Sequence, residues 1–526
     1  MSTHTVSLGS DGRRLSVGVP EAENASTTRK ARAGMAMSLA TFAMAAASAI
    51  QAVLYLSRFG TNVRTDGFFV AFALYSTFGV FSQSLRLTSV PLLVEPGARL
   101  SVREFAATLG LVALPVLIVT GPLAGPLAHL IAPGLSPEGR SVTAAALPVL
   151  GCAMVLQLWA AGAATVLAIR DRFTLVAGAY MSGAGTGLMT FLVLMGSAGE
   201  QTLGWSMLAM AIVTCGWMLV GMRRSGGLAG GRSQSSFAPA AILANAGMIL
   251  GRTAVYLAFN VLFVITLAFA SHAAAGGTTV LSYAYLFASY LVAGTGMALG
   301  MSSIPDMTRD ARAQRQALVT STVPRGFRYA MMIVAPALAG LIAAGALLIH
   351  AVLPKSLSAA EVSQLQTFGA LLVPWTLCAL LVNFLLPMLF AVGRSRLLNI
   401  LALPFVLLHL AATALGSALF GVDGAVGAFF VAPACFAGVL LVAGAGRAGA
   451  PALLLELAGD AGRFLALAAL AFGVGWAVGT TLPSELTQAV VTGVIGCGLY
   501  AGGLWVVARR QLEVVLNALV VRPAPA

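Results

Sequence analysis

Long apolar runs follow one another along the chain, and short polar joints between them carry most of the charge. We read fourteen: 34–57, 68–94, 105–132, 142–168, 173–195, 203–222, 239–271, 278–304, 327–352, 366–392, 397–420, 424–445, 463–482 and 486–508. A helix needs about 20 apolar residues to cross the hydrocarbon core of a bilayer, so each run predicts one transmembrane helix. The joints are too short to hold a folded domain. Residues 1–33 are polar and lack the pattern of a signal peptide. They are expected to form a mostly disordered cytoplasmic tail, with a second tail at 509–526.

The runs fall into two similar sets. A Gly/Ser-rich stretch, RRSGGLAGGRSQSSFA, occupies 223–238 after the sixth run and reads as a linker. On one side, TSVPLLVEPGAR (88–99) places Pro91 before a basic joint; on the other, SSIPDMTRDAR (302–312) places Pro305 likewise. VLAIRDRFTL (166–175) and LFAVGRSRLL (389–398) each carry an Arg-x-Arg pair between apolar runs. The expected organisation is therefore an N-lobe at 34–222, a C-lobe at 239–445 and two extra helices within 446–508. Duplicated halves are typical of transporters, whose sites lie between the repeats. Six crossings per half start both halves in the same orientation, which implies a pseudo-two-fold axis along the membrane normal.

Composition removes the alternatives to a membrane protein. Of 526 residues, 59% are hydrophobic and only 9% charged, and the mean hydropathy is +0.93. Soluble domains carry about 25% charged residues, and disordered chains are charge-rich. A soluble enzyme and a disordered chain are both excluded. The fold class is an all-α polytopic membrane protein.

Charge sets the orientation. The net charge is +13, but the basic residues are scattered in pairs rather than gathered on one face, so no nucleic-acid partner is expected. With the N-terminus inside, 24 basic residues face the cytoplasm and only Arg58, Arg64, Arg140 and Lys355 face outward. That bias puts both termini in the cytoplasm. Cys152, Cys215, Cys378, Cys435 and Cys497 lie in apolar runs without a neighbouring His, so no metal site and no disulfide framework is expected. No cofactor is expected either; membrane potential and ion coupling both stay open as energy sources.

Few residues are left that could carry chemistry. Arg86 and Arg252 lie inside apolar runs, Arg252 near the middle of its own. An intramembrane Arg costs about 2.5–3.5 kcal/mol on insertion scales and faces the bundle interior or a wet cavity. Its forked donors suit phosphate, so both are candidate anion contacts; packing or snorkelling is the alternative. The joint SRFGTNVRTDGFF holds Arg58, Arg64 and Asp66, a candidate outer gate in which Asp66 is also a candidate substrate contact. Asp66 would also suit the N-terminus of its own helix. Gln51 and Gln83 either line a cavity or bond between helices. No carboxylate lies deep in a run, and no acids or metal ligands gather at one face as a membrane enzyme would need, so the chain is not expected to be an enzyme.

RFGTNVRTDGFFVAF followed by VPLLVE resembles the opening of the MurJ/MviN family, within the multidrug/oligosaccharidyl-lipid/polysaccharide exporter superfamily. VLAIRDRFTL, LSYAY…ALGMSSIP and LFAVGRSR fall where that family has similar patterns. The resemblance covers about residues 34–510. It implies two six-helix lobes plus two further helices, and a flippase for a lipid-linked glycan, with lipid II leading. Such a cargo would bring membrane lipids and cell-wall synthesis proteins as partners, with Asp66 matching the family's charged set. It also implies departures. Places where the family carries arginine in the first helix fall at Ala45 and Gln51. Its Asp-Arg pair falls at Tyr285 and Leu286. These departures keep open an exporter of another amphiphile, or a paralogue that does not transport.

Overall fold

The computed structural model describes residues 40, 43–44, 46–94, 101–170, 172–225, 239–297, 315–352, 357–391 and 395–509. The two tails, most of the linker, Ala45 and the stretch around Pro305 lie outside the described residues. So do some side chains within the helices, those of Gln83 and Arg86 among them.

Every described element is helical. The first is α1 (46–59). Then come α2 (Val63–Val94), α3 (Val102–Thr120), α4 (Ala124–Ile131), α5 (Pro137–Ile169), α6 (Phe173–Leu194) and α7 (Thr202–Arg224). The second half holds α8 (Pro239–Ala270), α9 (Gly277–Val292), α10 (Arg315–Val352), α11 (Ala359–Leu371), α12 (Val373–Ala391), α13 (Ser395–Gly427), α14 (Val431–Gly479) and α15 (Glu485–Val507).

Local chemistry fixes many of the ends. Ser101 with Glu104 and Ser358 with Glu361 form capping boxes at the starts of α3 and α11. Each satisfies backbone donors that a helix start leaves free. Ser136 caps α5 with Pro137 in its first turn, and Ser484 caps α15.

The crossings follow the fourteen apolar runs, with four differences. The run 105–132 is not one helix: it breaks at Gly121, where Pro122 lacks an N–H and disfavours helical geometry before it, giving α3 and α4. The tenth crossing is divided into α11 and α12 by a turn at Leu372, just before Pro374. The ninth starts at Arg315 rather than 327. The thirteenth extends back beyond 463, because α14 continues from Gly446. Conversely, the apolar stretch Arg396–Gly479 is 84 residues long. A straight helix of that length would run about 125 Å. Gly421 (φ 63°) and Gly446 (φ 79°) break it into three crossings.

Each half has a core of its own, and buried apolar contacts also pass between them: Val70 and Ala73 of α2 belong to the same cluster as the core of the second half. Tyr55, Phe68, Phe69, Leu150 and Phe191 centre one core, on α1, α2, α5 and α6. Phe263, Tyr285, Trp375, Phe405 and Phe429 centre the other, where Phe263 stacks on Tyr285 at 3.7 Å and Trp375 on Phe429 at 5.2 Å. α8 packs along α2 and joins the halves, while α15 and the second part of α14 lie against α10. Arg328 of α10 ties down the second part of α14, bonding Asp460 at 2.5 Å and Glu456 at 2.6 Å. Leu130, Val193, Leu455 and Val506 point outward from the bundle, a surface that only lipid solvates well. The joints at 60–62, 132–136, 271–276 and 357–358 mark one end of the bundle. The other, where α1 begins and α15 finishes, is called here the terminal end.

Candidate functional site: a clamp between the lobes and a basic recess

At the far end, one carboxylate holds the halves together. Asp66 lies in the first turn of α2 and is only 2% exposed. Its Oδ2 accepts from the Gly276 N–H at 2.6 Å; its Oδ1 accepts from the Thr279 N–H and hydroxyl, each at 2.7 Å. Gly276 is the N-cap of α9. Asp66 therefore caps a helix of the opposite lobe, where free N–H groups and the positive end of the macrodipole attract an anion. The expected cap on its own helix falls instead to Asn62, whose Oδ1 accepts from the N–H groups of Arg64 and Thr65.

Backbone geometry makes the clamp fit. Gly67 meets Gly139 of α5 so closely that a Cβ would stand 2.2 Å from the Gly139 oxygen. Gly276 takes φ 94°, a left-handed conformation that favours glycine, and a Cβ there would approach Glu361 at 2.9 Å. Thr61 donates to the Glu361 carboxylate, a second bond across the lobes. Burial works to raise the Glu361 pKa, but hydrogen bonds from Thr61 and Ser358 outweigh it and hold the carboxyl below its ordinary range. Ser271 accepts from the Gly134 N–H at 3.0 Å, and Tyr283 of α9 donates to the Ala52 oxygen of α1 at 2.9 Å.

The neighbouring candidate residues Arg64 and Gln51 make contacts within the N-lobe. Arg64 bonds Glu200 at 2.9 Å and Glu138 at 3.5 Å, fastening joints within its own lobe. Arg58 is exposed beside it. Gln51 is buried and donates to Ser206 of α7 at 3.0 Å, so it bonds between helices.

Arg252 lies at the other end. α8 and α13 run parallel, with Gly251 beside Asn399, Phe259 stacked on Phe405, and the Leu262 oxygen bonded to His409. This register sets the start of α13 level with Met248, so α8 projects beyond it toward the terminal end. Arg252 is thus near one rim of the bundle rather than at mid-membrane. Together with Met248, Gly251, Arg396, Asn399 and Ile400 it lines an open recess of about 470 Å³. Among the described residues, no three His, Cys, Asp or Glu side chains gather as a metal ion would need.

No family model and no curated protein matches the chain. Solved structures do. A lipid II flippase, MurJ, in an inward-closed conformation aligns with a TM-score of 0.69 at 15% identity, over 90% of this chain and 99% of that one. The chain has the fold of a lipid II flippase. An inward-facing multidrug-resistance MATE family transporter of the MOP superfamily aligns at 0.56 and 14% identity, over 77% of this chain and 94% of that one. A MOP superfamily transporter from Pyrococcus furiosus, described as having a binding pocket of reverse polarity, aligns at 0.53 and 16%, covering 80% and 96%.

Within this MurJ-like fold, the places of the expected charged pair carry apolar contacts. Tyr285 is sunk in the C-lobe core. Leu286 packs against the N-lobe core, as does Tyr283. Nothing in the sequence marks Gly276 and Thr279 as partners of Asp66, or Glu361 as the partner of Thr61, although Ser358-x-x-Glu361 reads as a capping signature. It counted Arg396 only as a topological charge.

Proposed function

We propose that the protein is a flippase that moves an anionic, lipid-linked amphiphile from the cytoplasmic to the outer leaflet of a bacterial plasma membrane. A lipid-linked glycan such as lipid II is the leading cargo. The observation that carries this reading is the Asp66 clamp. It fastens the two lobes at one end of the bundle through a small set of polar bonds, beside the apolar contacts of Leu56, Leu357 and Val362 and the packing of α8 on α2, and these bonds can be broken and remade without unfolding either lobe. The charge bias places the terminal end in the cytoplasm and the clamp outside. The structure then corresponds to a state closed outward. Opening the clamp while the terminal end closes would give alternating access. The segments 34–222 and 239–445 act as the moving lobes, with 223–238 as the linker between them. Arg252 and Arg86 serve as phosphate contacts; Arg58 and Arg64 flank the gate, and Gln51 and Gln83 stand on helices beside the path.

A second reading, export of a different amphiphile, is favoured by one observation: Leu286 and Gln51 stand where the resemblance expects charge. The test is growth and outward display of lipid II in bacteria depleted of their own flippase. Rescue that Asp66→Ala and Arg252→Ala remove at equal expression supports lipid II as cargo. Failure of a well-inserted protein assigns the fold to another amphiphile.

A further inference from the structure

The recess beside Arg252 lies between α8 and α13, at the opposite end of the bundle from the clamp. α13 packs mainly on α8 and on the turn that follows it, with lighter contacts to α11 and α14. Among the described residues it makes no extensive contact with α2–α7. Its remaining face is open and has a clear polarity. Arg396 stands at the terminal end, followed at helical spacing by Ile400, Leu403 and Leu407, which are 62%, 66% and 55% exposed. Positions four, seven and eleven residues on from Arg396 lie on one side of a helix. From Arg396 to Leu407 the rise is about 16 Å, close to the thickness of one leaflet's hydrocarbon, about 15 Å. One α13 face therefore presents a cation at the interface and an apolar track through a single leaflet.

Arg252 comes to the same recess from α8. Two guanidinium groups from two helices, with the Asn399 amide between them, form a donor set for a tetrahedral anion. Forked N–H donors pair two phosphate oxygens at once. The N-terminal turn of α13 adds the positive end of a helix dipole at the same level. Because the apolar track continues directly from the cations, the ligand that satisfies both is an amphiphile.

We propose that the recess between α8 and α13 docks the phosphate of an anionic lipid, with Arg252 and Arg396 on the phosphate and the acyl or prenyl chain along Ile400, Leu403 and Leu407. This is a lipid site between two helices of the C-lobe. It rests on the reading of Arg252 as a phosphate contact, but not on transport. A lipid held here would be positioned at the leaflet from which the proposed cargo starts.

The test reads binding alone. Protein reconstituted in phosphatidylcholine vesicles containing phosphatidylglycerol is released and examined by native mass spectrometry for retained lipid. Arg396 is exposed, so Arg396→Gln should leave folding intact, as thermal unfolding will check. Wild type should retain one phosphatidylglycerol in preference to phosphatidylcholine. Arg396→Gln should lower that retention about tenfold, the size of a lost charge-assisted contact of about 1.4 kcal/mol. Ile400→Gln with Leu403→Gln should lower it too, while both arginines remain. Added inorganic phosphate should displace little of the lipid. Equal retention by wild type and Arg396→Gln overturns the proposal. So does full displacement by inorganic phosphate, which would make the recess a site for free anions. If the flippase rescue fails but retention depends on Arg396, the cargo assignment falls and the lipid site stands. Rescue without Arg396-dependent retention sinks the lipid site alone.

Discussion

Asp66 accepts three hydrogen bonds from two residues of the opposite lobe. A hydrogen bond to a charged group contributes about 1.5–3 kcal/mol. Asp66→Asn keeps the shape but replaces one acceptor oxygen with an amide that faces the N–H of Gly276 or of Thr279. The clamp should loosen without either lobe unfolding. Spin labels placed on the joints at 60–62 and 271–276 should report a longer distance or a broader distribution, with helical content unchanged. An unaltered distance distribution would mean that the apolar contacts of Leu56, Leu357 and Val362 close that end by themselves. The Asp66 role was only half legible in sequence. An Asp after Asn-x-x-Thr at a helix start reads as a local cap, and nothing nearby in the chain reveals that its partners are 210 and 213 residues away.

At the scale of elements, pattern and punctuation set the helices. Ser-x-x-Glu starts α3 and α11, and Gly-Pro divides α3 from α4. The ends that sequence placed poorly are those where a helix continues past the bilayer. The apolar pattern fades at the interface while the backbone stays helical, as in the early start of α10 and in α14 behind Gly446. There the extension is held by tertiary contacts. Arg328, at the start of the ninth run, reaches Asp460 and Glu456 in the extension of α14. Arg328→Ala should free the last two helices from α10 while the rest of the bundle holds. Asp460 is buried, so loss of its cation leaves a carboxylate without its partner, which is the costly half of breaking such a pair. Limited proteolysis should then cut the segment between Gly446 and Asp460 several times faster. Cleavage at the wild-type rate would show that packing of α15 on α10 suffices.

Across the whole molecule, the arrangement predicts that motion is concentrated at the clamp. Thr61 and Glu361 are hydrogen-bonded across the lobes. A Thr61→Cys, Glu361→Cys pair in a background lacking the five native cysteines should therefore cross-link under oxidation. Transport should stop when the bond forms and return on reduction. Continued transport by the oxidised protein would rule out lobe separation at that end as a step of the cycle.

Composition and hydrophobic periodicity by themselves determined that this chain lives in a bilayer and which stretches form its helices. Those properties depend on transfer of apolar helices into lipid, which each segment settles alone. The matching joints on either side of the linker, and the resemblance in RFGTNVRTDGFF, carried that reading to an exporter fold. Tertiary structure decided the rest. It set Asp66 on the N-terminus of α9, turned Gln51 toward Ser206, and moved Arg252 from apparent mid-membrane to a rim beside Arg396. Each of these depends on which helix stands next to which and in what register. Contacts between residues 140 to 210 positions apart leave no trace in local periodicity.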